Sequence, residues 1–236
     1  MLTLILAESA LETVPEEIQN HPSILKQARA KGKRPNQIIL DRSYHHHAML
    51  KLPNNEKRGR PDIVHFSLLS ALGTPLNLEG LLKVYVHTIA NYVIDVNPKV
   101  RLPRNYNRFV GLMEQLFQYG RVPPKSREPL LKLEKKTLKE LITQVNPVYV
   151  LAFTRKGKMQ TLEKAVSKLA EKENSAVIVG GFPHGSFSEE TLKLADETAC
   201  IDPETLDAWT VTSRVIYEYE RAIHLPERRL KQLCKK

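Results

Sequence analysis

The stretch Val177-Ile-Val-Gly-Gly-Phe-Pro-His-Gly185-Ser-Phe-Ser-Glu-Glu190 decides the fold. Apolar β-branched residues run into paired glycines, and a serine then precedes two glutamates. That order describes a buried strand, a tight loop and a capped helix start. Just upstream, Val148–Phe153 reads as a second strand. Met159–Lys172 reads as a helix with Leu162, Ala165, Val166 and Leu169 on one face. Downstream come a helix over about Ser188–Leu194, a short strand Ala199–Ile201 and a long helix carrying Leu206, Trp209, Val211, Ile216 and Tyr219, which Pro226 should stop. Strands alternating with helices predict an α/β domain with a largely parallel sheet.

Toward the N-terminus, further strands are expected over Leu2–Leu6, Gln37–Leu40, Ile63–Leu69, Lys83–Ile89 and Tyr92–Val96. Several are continuously apolar, as strands buried on both faces must be. The segment Lys83–Val96, bounded by Gly80 and Pro98, reads as an extra hairpin, and Arg121–Pro129 as a joining loop. The 236 residues suit one domain, 1–236, with an inserted extension over about 80–130 and a ligand-binding region over about 148–225. No internal repeat is visible. A hydrophobic content of 42% is enough for a real core.

The 36 lysines and arginines exceed the 26 acids and give a net charge of +10, which attracts phosphate backbones. An anionic membrane surface is the competing reading. No run of 18 apolar residues exists, and Glu8 follows the apolar start too soon for a signal peptide, so neither a membrane partner nor secretion is expected. Cys200 and Cys234 alone make neither a disulfide framework nor a zinc knuckle. The cytoplasm is the expected compartment.

Gly180 and Gly185 allow a sharp turn and close backbone approach to a ligand. A nucleotide-triphosphate loop would need Lys and Ser/Thr next, whereas Ser186 and Phe187 follow; the Rossmann glycine pattern is absent too. A plain turn capped by Ser188 remains the alternative. The stretch Ala199-Cys-Ile-Asp-Pro-Glu-Thr-Leu-Asp-Ala-Trp209 is another strand end turning into a helix. Ligands of open α/β sheets sit at such carboxyl ends, so the two loops could share one pocket.

Lys99, Arg101, Arg104 and Arg108 have no carboxylate between Asp95 and Glu114. Pro103 suits the first turn of a helix, which would place Arg104 and Arg108 on one face and bury Phe109, Leu112, Met113 and Leu116 on another. Clustered guanidiniums suit phosphate, although a solvated basic face reads the same way. Asp62, two residues from Arg60, can fix that guanidinium by a charge-assisted hydrogen bond. Asp41–His47 reads as a loop near the RNA site, with Tyr44 able to stack on a base. Adjacent histidines without Cys or Glu at ligand spacing do not predict zinc.

Taken together, L-D-R-S-Y-H-H from Leu40, R-P-D-I-V-H from Arg60, R-L-P-R-N-Y-N-R-F-x-G-L-M from Arg101, V-G-G-F-P-H-G from Val179 and A-C-I-D-P-E-T-L-D-A-W from Ala199 resemble one family. It is the ribosome-biogenesis pseudouridine methyltransferases of the SPOUT class, in their compact form. The resemblance covers nearly the whole chain. It implies a SPOUT-type α/β sheet with a C-terminal trefoil knot and an inserted hairpin and helical extension, and a homodimer packed through the knot. It further implies S-adenosyl-L-methionine held in the knotted loops, and methyl transfer to ring nitrogen 1 of a pseudouridine in a small-subunit rRNA hairpin loop. Residue by residue, the resemblance assigns Gly180, Gly185, Cys200, Ile201, Asp202, Pro203, Glu204, Thr205 and Leu206 to the cofactor, with Thr154 less well matched. Arg60, Arg101, Arg104 and Arg108 are assigned to RNA, with Asp62 steadying Arg60.

The nitrogen must lose a proton, for which Asp62, His45 and water are the sequence's candidates. The apolar C-terminal half, with Trp209, Ile216 and Tyr219, also points to a homodimer. A competing class is an RNA-binding ribosome assembly factor, attended by assembly proteins, in which methylation is secondary or absent. It would share the arginines without needing an intact cofactor pocket.

Overall fold

The computed structural model describes residues 1–233, so Cys234 lies outside the described residues. One eight-stranded sheet runs through it in the order β4-β5-β3-β2-β1-β7-β6-β8. The strands are β1 (Leu2–Ser9), β2 (Leu82–Thr88), β3 (Tyr92–Val96), β4 (Arg121–Val122), β5 (Leu131–Lys135), β6 (Tyr149–Met159), β7 (Ser175–Gly180) and β8 (Glu197–Cys200). β2, β1, β7, β6 and β8 are mutually parallel, while β2, β3, β5 and β4 pair antiparallel in that order. The expected hairpin is therefore β2 and β3, and it extends the parallel half of the sheet.

The helices are α1 (Pro22–Ala30), α2 (Arg42–Met49), α3 (Pro61–Leu72), α4 (Pro75–Leu78), α5 (Tyr106–Tyr119), α6 (Leu138–Val145), α7 (Leu162–Ala170), α8 (Glu189–Leu192), α9 (Ala208–Ala222) and α10 (Leu225–Leu233). Strand periodicity explains the two-sided burial. Leu2, Leu4 and Leu6 of β1 enter a core with α3, α5, α7 and α9, while Ile5 and Ala7 enter a second core with α6. A smaller third core, around Val14, Ile24, Ile38 and Met49, holds α1 and α2 together.

Several segments differ from the sequence expectation. Ile63–Leu69 belongs to helix α3 and is not a strand. Pro61 opens the helix, and Ile63, Val64, His65, Ser67, Leu68 and Ala71 are all buried, so no polar stripe reveals the helical period. Gln37–Leu40 makes no ladder. Pro35–Gln37 is a 3-10 turn, and only Ile39 bridges, to Thr13. Asp41–His47 is not a loop: Asp41 accepts from the Ser43 amide at 2.8 Å and caps α2. Arg104 precedes α5 instead of sharing a helical face with Arg108, because Asn105 is the cap and accepts from the Arg108 amide at 3.1 Å. The long helix α9 starts at Ala208 after its cap Asp207, so Leu206 precedes it. It ends at Ala222, beyond which His224 turns left-handed, and Pro226 does not stop it but enters the first turn of α10.

Candidate cofactor cleft and arginine surface

The carboxyl ends of β1, β6, β7 and β8 gather at one end of the parallel half, where ligands of such sheets bind. A cleft of about 640 Å³ opens there. One wall is the loop after β7, with Gly180 and Phe182 to Phe187; the other is the loop after β8, with Cys200, Ile201, Asp202, Glu204, Thr205 and Leu206. Thr154 and Arg155, at the bulge of β6, close a third side, and Trp209 and Val211 of α9 form the floor with Ile63 of α3. Pro203 is exposed and does not line the cleft.

The two glycines serve different ends. Gly185 has φ +94°, a conformation that L side chains rarely adopt. Gly180 leaves room for a neighbour, since a Cβ there would meet the Phe182 ring at 2.9 Å and push that ring aside. Gly181 lies against Ser9 more tightly still, and its amide donates to the Ala7 carbonyl at 2.9 Å, pinning the loop to β1. Between the walls, the Arg155 guanidinium donates to the Thr205 hydroxyl at 2.8 Å. The Cys200 thiol donates to the Asp202 carbonyl at 3.2 Å, and Asp202 accepts from the Glu204 amide at 2.9 Å. These local bonds fix the turn that presents backbone groups to the cleft.

Arg60 stands at the cleft, and Asp62 grips it with two parallel bonds of 2.8 and 2.7 Å, as the spacing predicts. The carboxylate raises the guanidinium's pKa above its already high ordinary value. Arg101, Arg104 and Arg108 do not line the cleft. They are exposed on the approach to α5 and its first turn, and none forms an ion pair among the described residues. Helix α3 ties the two places together. Its first residues follow Arg60, its His65 ring bonds the Pro103 carbonyl at 2.7 Å, and the same ring stacks on Phe109 at 4.2 Å. The Tyr106 hydroxyl donates to Asp41 at 2.5 Å, and burial and that carboxylate raise its pKa. Tyr44, on the helix that Asp41 caps, is 57% exposed and available for stacking.

The histidines do not converge: His46 and His47 are exposed, while His45 is buried. His45 Nδ1 accepts from the Asp41 amide at 3.1 Å, and burial lowers its pKa to about 4. It is a neutral core residue and does not line the cleft. Sequence reasoning placed Trp209 at the end of the pocket-forming stretch Ala199–Trp209 but did not single out Arg155 as a cleft residue. It also missed Gly157, where a Cβ would fall 2.6 Å from the Ala199 backbone. A glycine beside paired strands was the available signal.

Comparison with known proteins fits this geometry. The model of the EMG1/NEP1 methyltransferase family matches residues 4–220. A ribosomal RNA small subunit methyltransferase Nep1 from Staphylothermus marinus is 46% identical over 95% of this chain and 97% of its own. The protein of the same name from Thermococcus kodakarensis is 48% identical over 95% of this chain and 100% of its own. The crystal structure of Archaeoglobus fulgidus Nep1 bound to S-adenosylhomocysteine superposes with a TM-score of 0.83 at 41% identity, covering 93% of this chain and 97% of that one.

Proposed function

Because the chain belongs to the EMG1/NEP1 methyltransferase family, we propose that its cleft takes S-adenosyl-L-methionine for methylation of small-subunit rRNA in ribosome biogenesis, with ring nitrogen 1 of a pseudouridine in a hairpin loop as the acceptor. The observation that carries the reading is the cleft itself, with two polar loops at strand ends and a carboxylate-held arginine at its edge. A pure RNA-binding assembly factor has no need of such a cleft.

The residues present fit this cofactor. Val179, Phe153, Ile201 and Leu206 offer apolar walls for a purine and ribose, and Gly180 and Gly185 leave backbone amides and carbonyls uncovered. S-adenosyl-L-methionine supplies an electrophilic methyl group on a sulfonium. The protein's part is to hold the base in line and to exclude water. Arg60 is held in one direction by Asp62 and can fix the base edge and the charge that develops on it. Arg101, Arg104 and Arg108 would grip phosphates beside the flipped nucleotide. The departing proton does not go to His45, which is buried with Nδ1 engaged, and both oxygens of Asp62 already accept from Arg60. Water and the cleft carboxylates Asp202, Glu204 and Asp207 remain as acceptors.

The reading includes a trefoil knot where the chain passes from β8 into α9, a homodimer packed through that half, and a cytoplasmic setting beside ribosome assembly proteins. Exposed Val148, Met159 and Tyr217 in the same half support the dimer. No helix among the described residues is long and apolar enough to cross a membrane.

The test is methyl transfer to a pseudouridine-containing hairpin beside a uridine control. Pseudouridine is joined to ribose through carbon and presents a free N1–H, whereas uridine N1 is the glycosidic nitrogen. Transfer to the first alone is expected. Equal transfer to both, or none to either, refutes the N1 assignment. Light scattering at micromolar concentration should give twice the chain mass.

A further inference from the structure

Glu8, at the carboxyl end of β1, enters neither the cofactor contacts nor the RNA contacts above. Its φ is +50°, a conformation uncommon outside glycine, at the point where the register of β1 on β2 shifts between Leu6 and Ser9. It is 8% exposed, yet its carboxylate accepts from Lys57 Nζ at 2.8 Å and from the Ser188 amide at 2.8 Å. Burial alone would raise its pKa, but Lys57 and the Ser188 amide outweigh burial and hold it below the ordinary value. Lys57 Nζ also donates to the Ser186 carbonyl and lies 4.6 Å from the centre of the Phe182 ring. Its Cε would sit 3.1 Å from a Cβ on Gly185.

One buried ion pair therefore touches Phe182, Gly185, Ser186 and Ser188, along the loop that makes a wall of the cleft. A buried pair is a poor source of stability, because desolvation offsets most of its attraction. Backbone held in an unfavourable region adds a further cost and persists where surroundings over-determine it, commonly at functional sites. We propose that Glu8 and Lys57 are positioning residues that hold the Gly180–Phe187 loop in the shape that receives the cofactor. This rests on the reading that the cleft takes S-adenosyl-L-methionine. The segment bearing Lys57 is itself anchored: Arg58 grips Glu12 with bonds of 2.7 and 2.6 Å, and the Arg60 amide donates to the Ala10 carbonyl at 3.2 Å. Lys57 thus reaches the loop from a fixed base.

The test compares the parent with Glu8→Gln, Lys57→Met and the double variant. S-adenosylhomocysteine affinity is measured by calorimetry, hairpin affinity by fluorescence anisotropy and stability by urea unfolding. Each single change should weaken S-adenosylhomocysteine about tenfold or more, as a displaced wall does. Hairpin affinity should stay within about twofold. Lys57→Met leaves Glu8 charged without its partner and should lose stability; the double variant removes that charge and should regain it. The double variant should nevertheless keep the weakened S-adenosylhomocysteine affinity, because the Lys57 bond to Ser186 is still missing. Should Lys57→Met fail to fold, Glu8→Gln and the double variant decide the matter. Affinity that stays parental in Glu8→Gln, or returns along with stability in the double variant, overturns the proposal. A parent that does not bind S-adenosylhomocysteine overturns the cofactor reading and this proposal with it; a parent that binds beside variants that bind equally overturns this proposal alone.

Discussion

Replacing Gly157 with alanine should damage both the fold and the cleft. β6 pairs Phe153 with Ala199, bulges, and pairs Lys158 with Ala199 again, so Gly157 passes directly against β8. Its φ is unremarkable, and the constraint is space alone. A Cβ would lie 2.6 Å from both the nitrogen and the carbonyl carbon of Ala199 and 2.8 Å from the carbonyl carbon of Thr198. That is roughly 0.8 Å inside the nearest ordinary contact, against backbone that no rotamer change can move, so the cost belongs near the top of the overpacking range, about 3 kcal/mol. For a chain of this length, such a loss lowers Tm by about 6–12 °C. β8 is an edge strand and would yield outward, carrying Cys200 and the cofactor loop after it. Gly111 is the control: it lies on the exposed face of α5 with nothing within 4 Å of its Cβ position. Alanine there should stabilise by about 0.5–1 kcal/mol. Urea unfolding gives both signs, and calorimetry with S-adenosylhomocysteine reads the cleft. A Gly157→Ala protein with the parent's unfolding midpoint would refute the steric argument. One that is destabilised but binds normally would refute the link from β8 to the cleft.

Three further outcomes are expected. Gly185→Val forces a β-branched residue to φ +94° beside Lys57, so calorimetry should show cofactor binding lost while hairpin affinity holds. Arg104→Ala should weaken the RNA hairpin and lower the salt slope by about one unit, with cofactor affinity unchanged; an unaltered slope across a salt titration would mean a solvated basic face. His45 titrates near 4 when folded because burial disfavours its charge, against 6.5 for the free side chain. The unfolded chain therefore takes up the proton first. The stability present above pH 6.5 should decline toward pH 4 by about 3 kcal/mol, and His45→Asn, which keeps an acceptor for the Asp41 amide, should flatten that decline in unfolding curves.

The C-terminal half was legible because its signals are local. Strand, glycine loop and capped helix follow one another within 177–190, and Ser188 does cap α8, accepting from the Thr191 amide at 3.2 Å. The bidentate grip of Asp62 on Arg60 is likewise a two-residue relation. What stayed hidden depends on contacts distant in sequence. Glu8 meets Ser188 across 180 residues, and Gly157 is fixed by Ala199; neither relation leaves a trace in composition or period. Arg101, Arg104 and Arg108 were found as a cluster and Arg108 is helical as expected, yet Arg104 falls before the helix because Asn105 outcompetes Pro103 as the starting signal.

The misreading of α3 has a physical cause that bears on function. Arg60 at its start lines the cleft, Ile63 faces the cleft beside it, and Phe66 meets Trp209 edge-on at 5.4 Å. On another side His65 reaches Pro103 and Phe109, and on a third Val64, Leu68 and Ala71 enter the main core. A helix that touches the cofactor cleft, the arginine segment and the sheet leaves little for solvent beyond Phe66, itself apolar and 45% exposed, and without a polar face its period vanishes into an apolar run. The same packing gives α3 its place between the two binding surfaces. A shift of the helix would move Arg60 and the Pro103 turn together, so its packing holds the arginine segment in register with the cleft.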